Sequence, residues 1–486
     1  MRTLLAVLAS GAMWFLSTGV NHFWPLAWLA PLPLLVVLPE LRVGRAALAA
    51  FAAFAIGAVN IVLTYPLRPI ALVVAMLLLP MPFVVLVSIW RLVARRTSQG
   101  IAIVAFPALV VSKEYLVSSI SPHGTLGSLA YSQADVLPVV QLAAATGLWG
   151  ISFLVALVPA ALAMAWRRRR EPRVVYATLA GAAVPLALAL VWGVTRLAAP
   201  LPATEARVGL AASDASVRTS QTQAEAVALP VIRAYAGRAA MLADRGAQVI
   251  VFPEKLVGVT PAYAASARAI LAAVARQRQV TIVAGFNAVG TPESRNQAVV
   301  FGPDGGVALE YDKVHLVPGF ERGYRAGTTI GLVAGAVPTT GVAICKDLDF
   351  VRLGLAYSHA GVRLLLVPAW DFGKDGWIHS RMAVLRGVEG GYTVARSANN
   401  GLLTVSDARG RILAERASGD ATEVLLTAVV PLGVGGGTFY SHTGDWFAWL
   451  SAAVALAAVA ASCLTTTLGA PPRLRLGIRS GSRTSS

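Results

Sequence analysis

Eight apolar stretches, each near the roughly 20 residues that a helix needs to cross a bilayer, set the terms on which this chain can fold. Seven precede residue 200, at about 3–20, 24–39, 46–65, 70–94, 101–118, 136–164 and 174–198, and the eighth covers 446–464. The second is short and holds Pro25, Pro31 and Pro33; each proline removes a backbone donor, so it is the least regular of the set. Arg2 ahead of a Leu/Ala/Val run has the look of a signal peptide. No clear small-x-small cleavage site precedes Asn21 and six more apolar segments follow before residue 200, so the expectation is a retained first helix.

Charge tests that reading. Only 13% of residues are charged, against about a quarter in soluble domains, which excludes an ordinary cytosolic enzyme. The formal net charge is +17, compatible with nucleic acid or an anionic membrane surface as partner. Its distribution decides. Arg2, the pair Arg42 and Arg45, then Arg91, Arg95 and Arg96, then Arg167 to Arg170 with Arg173, and finally Arg473, Arg475, Arg479 and Arg483 all fall on one side of the alternating segments. The short connections on the other side carry Arg68, with Arg196 at the end of the seventh segment. Cytoplasmic loops collect Lys and Arg, so both termini are expected in the cytoplasm and residues 205–445 outside it. Those residues carry a net +3 and the remainder +14. The charge therefore records topology, and nucleic acid is not an expected partner.

The segment 205–445 reads as a balanced α/β domain. Short apolar runs at 207–212, 248–252, 281–286, 296–301, 340–344 and 363–367 alternate with amphipathic helices near 223–245, 264–278 and 378–390, the pattern of sheets covered by helices. Two cysteines, Cys345 and Cys463, are too few for a disulfide framework. Six histidines without close spacing give no metal site, and no cofactor is expected. Residues 465–486 form a polar, basic tail without periodicity, expected to be a disordered cytoplasmic tail on anionic lipid.

Three of the apolar or extended runs lead straight into a reactive side chain. Val249 to Pro253 ends in Glu254, Glu310-Tyr311-Asp312 precedes Lys313, and Gly341 to Ile344 ends in Cys345. Functional groups in α/β sheets gather at the carboxyl ends of strands. A thiolate can attack an acyl carbon, a carboxylate can take the thiol proton, and an ammonium can stabilise the oxyanion. Five of the 41 basic residues are lysine, so a lysine in such a setting carries information.

In FPE, DKxHLVP and GVAIC settings, the order Glu254, Lys313, Cys345 resembles the carbon-nitrogen hydrolase (nitrilase) superfamily. With seven apolar segments ahead and one behind, the chain is similar to the apolipoprotein N-acyltransferases. Leu129 to Asp135, Gly147, Gly150 to Leu154 and Glu114 resemble that family's motifs in the fifth-to-sixth helix region. Arg295 to Ala298, the helix residues His379, Met382, Arg386 and Glu389, then Arg396 and Asn399 to Gly401, and later Thr438 to Tyr440 with Gly444 to Trp446 extend the likeness. It departs from the family at Lys346-Asp347, where Tyr-Glu is usual, and at Val367 to Gly373.

The resemblance implies a polytopic helical membrane domain, with about eight transmembrane helices, joined to an α-β-β-α sandwich. The divisions are 1–200 for seven membrane helices, 205–445 for the catalytic domain and 446–464 for the eighth helix. It implies Glu254 as base, Lys313 as charge stabiliser and Cys345 as nucleophile, supported by Glu321 and Asp347. Without the resemblance, Glu321 reads equally as a loop ion pair with Arg322 or Arg325. Lys346 is expected to favour the Cys345 thiolate. Leu256, Tyr263, Trp370, Phe372 and Trp377 are candidates to gate lipid access, and Glu114 either lines an acyl cavity or pairs structurally. The implied reaction moves an acyl chain from a phospholipid, through a cysteine thioester, to the amino terminus of a diacylglyceryl lipoprotein at the bacterial inner membrane, by a monomer. Two other readings stand beside it: a membrane-tethered amidase that hydrolyses a C–N bond, and an inactive scaffold or transporter.

Overall fold

The computed structural model of the protein describes residues 1–215, 222–290, 292–336 and 338–467. The expected basic tail lies outside the described residues from 468 onward, and Arg473, Arg475, Arg479 and Arg483 with it.

Among the described residues, seven helices are long and apolar enough to cross a membrane. Val43–Val62, Pro69–Arg96, Gln99–Ile120, Leu148–Arg167, Pro172–Ala198 and Trp446–Leu464 fall in the expected segments. The remaining one, Glu225–Asp244, presses Ile232, Tyr235, Ala239 and Leu242 into the core of the α/β half, so its apolar stripe faces protein. The first two segments form the shorter apolar helices Arg2–Ser17 and Trp24–Glu40. Prolines divide the latter into Trp24–Trp28, Leu32–Val37 and Leu38–Glu40, as their missing donors require.

Two segments depart from expectation. The fourth is interrupted at Leu79-Pro80 into Pro69–Leu78 and Met81–Arg96, and the first piece buries no residue. The sixth is not one helix over 136–164. Leu137–Val140 and Ala143–Thr146 are single turns, Gly147 sits at φ +64°, and the continuous helix is Leu148–Arg167. Glycine is needed there twice over, for the positive φ and because a Cβ would lie 2.5 Å from the Tyr440 ring.

The α/β half contains two mixed sheets. The first runs through β1 (Glu205–Ala212), β2 (Val249–Val251), β3 (Gly258–Val259), β4 (Thr281–Ala288), β5 (Arg295–Phe301) and β6 (Val307–Asp312). The second uses β7 (Gly331–Leu332), β8 (Thr340–Val342), β9 (Leu364–Trp370), β10 (Thr393–Asn399), β11 (Leu402–Ser406) and β12 (Ile412–Ala417), and β13 (Val424–Pro431) returns to the first. The strand orders are β13-β1-β2-β4-β5-β6, with β3 beside β4, and β12-β11-β10-β9-β8-β7. The sheets meet through Val208, Leu210, Val251, Val283, Ile344 and Leu366. Glu225–Asp244 and Ala264–Arg278 cover the first, and Val351–His359 and Gly376–Gly390 cover the second, giving the expected α-β-β-α layers. β1, β2 and β4 are parallel, as are β8, β9 and β10. Strand carboxyl ends are thereby collected at one edge of the sandwich.

Helix Gly376–Gly390 belongs to both halves. Ala383 packs in the α/β core, while Ile378, Met382, Leu385 and Val388 enter one cluster with Tyr131, Trp149 and Tyr440 of the helical half. Each such fully buried side chain stabilises by about 1.5–3 kcal/mol. Polar bonds fix the docking: Arg381 Nε donates to Asp135 Oδ1 at 2.6 Å, Arg386 Nη2 to the Tyr131 hydroxyl at 3.1 Å, and Leu148 N to Glu389 Oε1 at 3.0 Å. Burial pushes Glu389 up to about 7 against the pull of Arg386.

Glu114 organises the loop that reaches this helix. Its carboxylate accepts from the Ser128 and Ser152 hydroxyls, both at 2.7 Å, and from Leu129 N at 2.9 Å, which is the pairing alternative of its two expected roles. Replacing Glu114 with Ala removes the acceptor for three donors, with an expected cost of about 1–3 kcal/mol. The check is a lower thermal unfolding midpoint of the detergent-solubilised protein, partly recovered in Glu114→Gln; a midpoint equal to wild type would remove Glu114 as the organiser of this loop.

Candidate active site

The three reactive residues follow the strand ends of both sheets. Beyond β2, Glu254 bonds its backbone N–H across to Ala369 O at 3.2 Å, which ties the first sheet to the end of β9. Lys313 follows β6, with its own N–H on Asn296 O at 2.8 Å. Cys345 follows the β8 run at φ +45°, and Lys255 next to Glu254 has φ +51°. For residues with a Cβ, the left-handed region costs on the order of 1 kcal/mol. Such strain persists where surrounding structure enforces it, often at functional sites.

The side chains form a buried charge cluster. Lys313 Nζ lies 2.9 Å from Glu254 Oε1 and 3.2 Å from Glu321 Oε2. Lys255 Nζ lies 2.5 Å from Glu321 Oε1 and stands over the Tyr324 ring. Asn296 Nδ2 donates to both Glu254 Oε1 and Glu321 Oε1, and Val317 N donates to Glu321 Oε2 at 2.7 Å. Glu321 therefore pairs with two lysines, in preference to Arg322 or Arg325. Burial works against its charge, yet Lys313 and Lys255 hold it down at about 2. Burial likewise works against the Lys313 ammonium, and Glu254 and Glu321 hold its affinity for the proton well above that of an ordinary lysine. Glu254 Oε2 is buried with no hydrogen-bond partner among the described residues.

Cys345 Sγ faces Trp370 O at 3.5 Å. Burial pushes its thiol well up, the Glu254 carboxylate adds to this and the Lys313 ammonium opposes it. Burial and the Glu254 charge thus both favour the thiol over the thiolate.

Asp347 fastens two of the loops together. Its Oδ1 accepts from Val314 N and His315 N at 3.1 and 2.8 Å, and its Oδ2 from Ile344 N and the Tyr311 hydroxyl at 3.0 and 2.7 Å. The segment after Lys313 and the residue before Cys345 thus share one carboxylate. Lys346 points elsewhere. Its ammonium is 3.2 Å from Asp349 Oδ2 and 3.4 Å from His123 Nδ1, and it is not among the leading charges on Cys345. The expected help to the thiolate is corrected on that ground: the short turn Cys345–Asp349 rotates the neighbouring side chain away from the sulfur.

The aromatic candidates separate by burial. Leu256 and Tyr263 are packed in the core of the first sheet, with the Tyr263 hydroxyl on Gly258 O, which is the packing alternative to the expected gating. Phe372 is exposed and contacts Phe320 and Tyr65 at ring separations of 4.9 and 5.5 Å. Trp377 stacks on His22 at 4.4 Å and donates to Asp135 Oδ2 at 3.2 Å. Trp370 ends β9 and supplies the carbonyl facing Cys345.

Sequence reasoning gave no role to Lys255 or to the ion pair of Arg396 Nη1 with Asp371 Oδ2, at 2.9 Å beside the cysteine. The scarcity of lysine and the adjacency of Lys255 to Glu254 were the available signal. His379 is a further buried charge: its ring nitrogens lie 3.6 Å from Asp349 and 3.3 Å from Asp375. Burial works against its proton, but the two carboxylates raise it to about 10.

A cysteine, a carboxylate and an ammonium at the strand ends of a four-layer sandwich, docked on apolar helices, define a membrane-embedded hydrolase-fold protein of the nitrilase type. Residues 213–436 match the carbon-nitrogen hydrolase family, and residues 10–161 match the apolipoprotein N-acyltransferase N-terminal domain. An apolipoprotein N-acyltransferase from Geobacter metallireducens is 30% identical over 94% of this chain and 94% of its own. One from Vibrio cholerae is 28% identical over 94% and 97%. An amidase from Nesterenkonia sp. AN1, solved with butyramide, covers 48% of this chain and 94% of its own at 22% identity and a TM-score of 0.40. The chain belongs to the apolipoprotein N-acyltransferase family, and it is a multi-pass membrane protein.

The electrostatics of the sulfur can be read by alkylation. In the full-length protein, iodoacetamide labelling of Cys345 is expected to keep rising with pH past 9, the thiol's ordinary value. In Glu254→Gln the carboxylate charge that raises the thiol is gone, so the labelling curve moves to lower pH and labelling at pH 8 becomes faster. Curves that superimpose would remove Glu254 from the neighbourhood of the sulfur.

Proposed function

We propose that this protein is a phospholipid-dependent N-acyltransferase that carries the acyl chain as a thioester on Cys345. The observation that carries the reading is helix Gly376–Gly390, which follows Trp370 by a short loop and whose Trp377 and Ile378 also line a cavity of 270 Å³ in the helical half, walled by Trp14, Phe54, Leu78 and Phe83. An acyl chain in water costs about 0.8 kcal/mol per methylene; an apolar-walled cavity lined by the same helix that follows the Cys345-facing strand end supports a path that avoids that transfer.

In the first step Glu254 takes the Cys345 proton through its unpaired oxygen, and the sulfur attacks the ester carbonyl carbon of a phospholipid. Lys313 stabilises the oxyanion. The C–O bond breaks, Glu254 returns the proton to the leaving alkoxide, and a lysophospholipid departs. In the second step the amino terminus of a diacylglyceryl lipoprotein attacks the thioester, its proton passes to Glu254, the C–S bond breaks and the sulfur recovers the proton. Glu321 and Lys255 keep Lys313 in place, and Asp347 holds the Lys313 and Cys345 loops in register. The cation-rich loops support cytoplasmic termini and an active site on the outer face of a bacterial inner membrane.

Full-length protein in phosphatidylethanolamine vesicles is expected to gain a palmitoyl mass on Cys345 that hydroxylamine removes and that Cys345→Ser does not form. Adding a diacylglyceryl lipopeptide discharges the adduct into an amide product. Discharge to free fatty acid at the same rate with and without lipopeptide would favour hydrolysis by an amidase-type enzyme, and no adduct at all would overturn the proposal.

A further inference from the structure

Lys113 is an intramembrane cation without a hydrogen bond among the described residues. It sits on helix Gln99–Ile120, two turns from the end that faces the α/β half, and its side chain is 23% exposed. Its one ion pair among the described residues is with Glu114 Oε1, at 3.9 Å, and that carboxylate is already bonded to two serine hydroxyls and a backbone N–H. Lys255, Lys313 and Lys346 all have carboxylates at 3.2 Å or closer. An ionisable group in a membrane segment is costly, and such groups mark sites that hold or move a ligand.

What surrounds Lys113 indicates the ligand. It lines the 270 Å³ cavity together with Gly127 and Ser128, and Phe54, Leu78, Leu79 and Phe83 are among the apolar residues of the same lining. The side containing Leu78 opens on lipid: Pro69–Leu78 buries no residue, and Leu78 and Leu79 are exposed. A molecule entering there needs an apolar tail and, near its head, an anion.

Building on the acyl-transfer reading above, we propose that Lys113 binds the phosphodiester of the acyl-donor lipid, holding the donor by its head while its acyl ester reaches Cys345 past Trp377. The chemistry recognised is a phosphate anion, and the source is the lipid because the cavity's open wall is apolar.

The test measures acyl-adduct formation on Cys345 from two donors with the same chains, phosphatidylethanolamine and the phosphate-free diacylglycerol, in the full-length protein. Wild type is expected to prefer the phospholipid by about ten-fold, the value of one charge-assisted hydrogen bond. In Lys113→Met the ratio falls to about one, and in Lys113→Arg it returns. A ratio is insensitive to how much of a variant folds. A wild-type ratio preserved in Lys113→Met overturns the assignment while leaving the thioester intact; no adduct from either donor in wild type overturns the acyl-transfer reading, and this inference with it. Protection of Lys113 from amine-directed acylation by millimolar inorganic phosphate but not by phosphatidylethanolamine would make this a free-anion site and overturn the lipid assignment.

Discussion

Everything at the site depends on a buried balance of four charges, two carboxylates and two ammonium groups. Lys313 stands between Glu254 and Glu321, and Lys255 closes the set on Glu321. Removing ions from water costs several kcal/mol each, recovered only when partners and hydrogen bonds are complete. Asn296 and Val317 N complete them. The loops after β2 and β6, and the start of β5 through Asn296, are therefore constrained by electrostatics as well as by packing. One carboxylate oxygen, Glu254 Oε2, stays without a hydrogen-bond partner among the described residues.

A second constraint couples this cluster to the cysteine. Asp347 has four donors drawn from the segments around Lys313 and Cys345. The left-handed backbone at Cys345 and Lys255 turns both chains sharply where their strands end. Asp347 reaches its backbone donors directly because the turn that contains it begins at the cysteine. Lys346 joins a separate cluster with Asp349 and His123, next to the Asp349–His379–Asp375 pairing.

The features legible in the sequence were those that a single run of residues encodes. Apolar length marked the membrane helices, and a strand leading into Glu254, Lys313 or Cys345 marked the site. Features set by distant partners were not legible. Leu256 and Tyr263 look like exposed loop hydrophobics until Ala264–Arg278 is seen to cover them. Strand β10 is wholly buried yet carries Thr393, Arg396, Ser397 and Asn399, so no apolar run announces it. The direction of Lys346 depends on His123, more than two hundred residues away in the chain. The stretch 136–164 read as one helix because Leu, Val and Ala suit a bilayer and a protein interface equally; only the Gly147–Tyr440 approach separates the two uses.

Helix Gly376–Gly390 gives the molecule a shared core, and this bears on how such a protein can change over time. Ile378, Met382, Leu385 and Val388 are buried by the helical half, so a freely soluble version of the α/β half would need a different residue at each of these positions. Substitutions on this helix must satisfy a sheet, a catalytic loop and a bundle of membrane helices simultaneously. Neither half can be exchanged as a module. Variation is instead directed to the surfaces that face lipid or water, such as the outer side of Pro69–Leu78, which buries no residue.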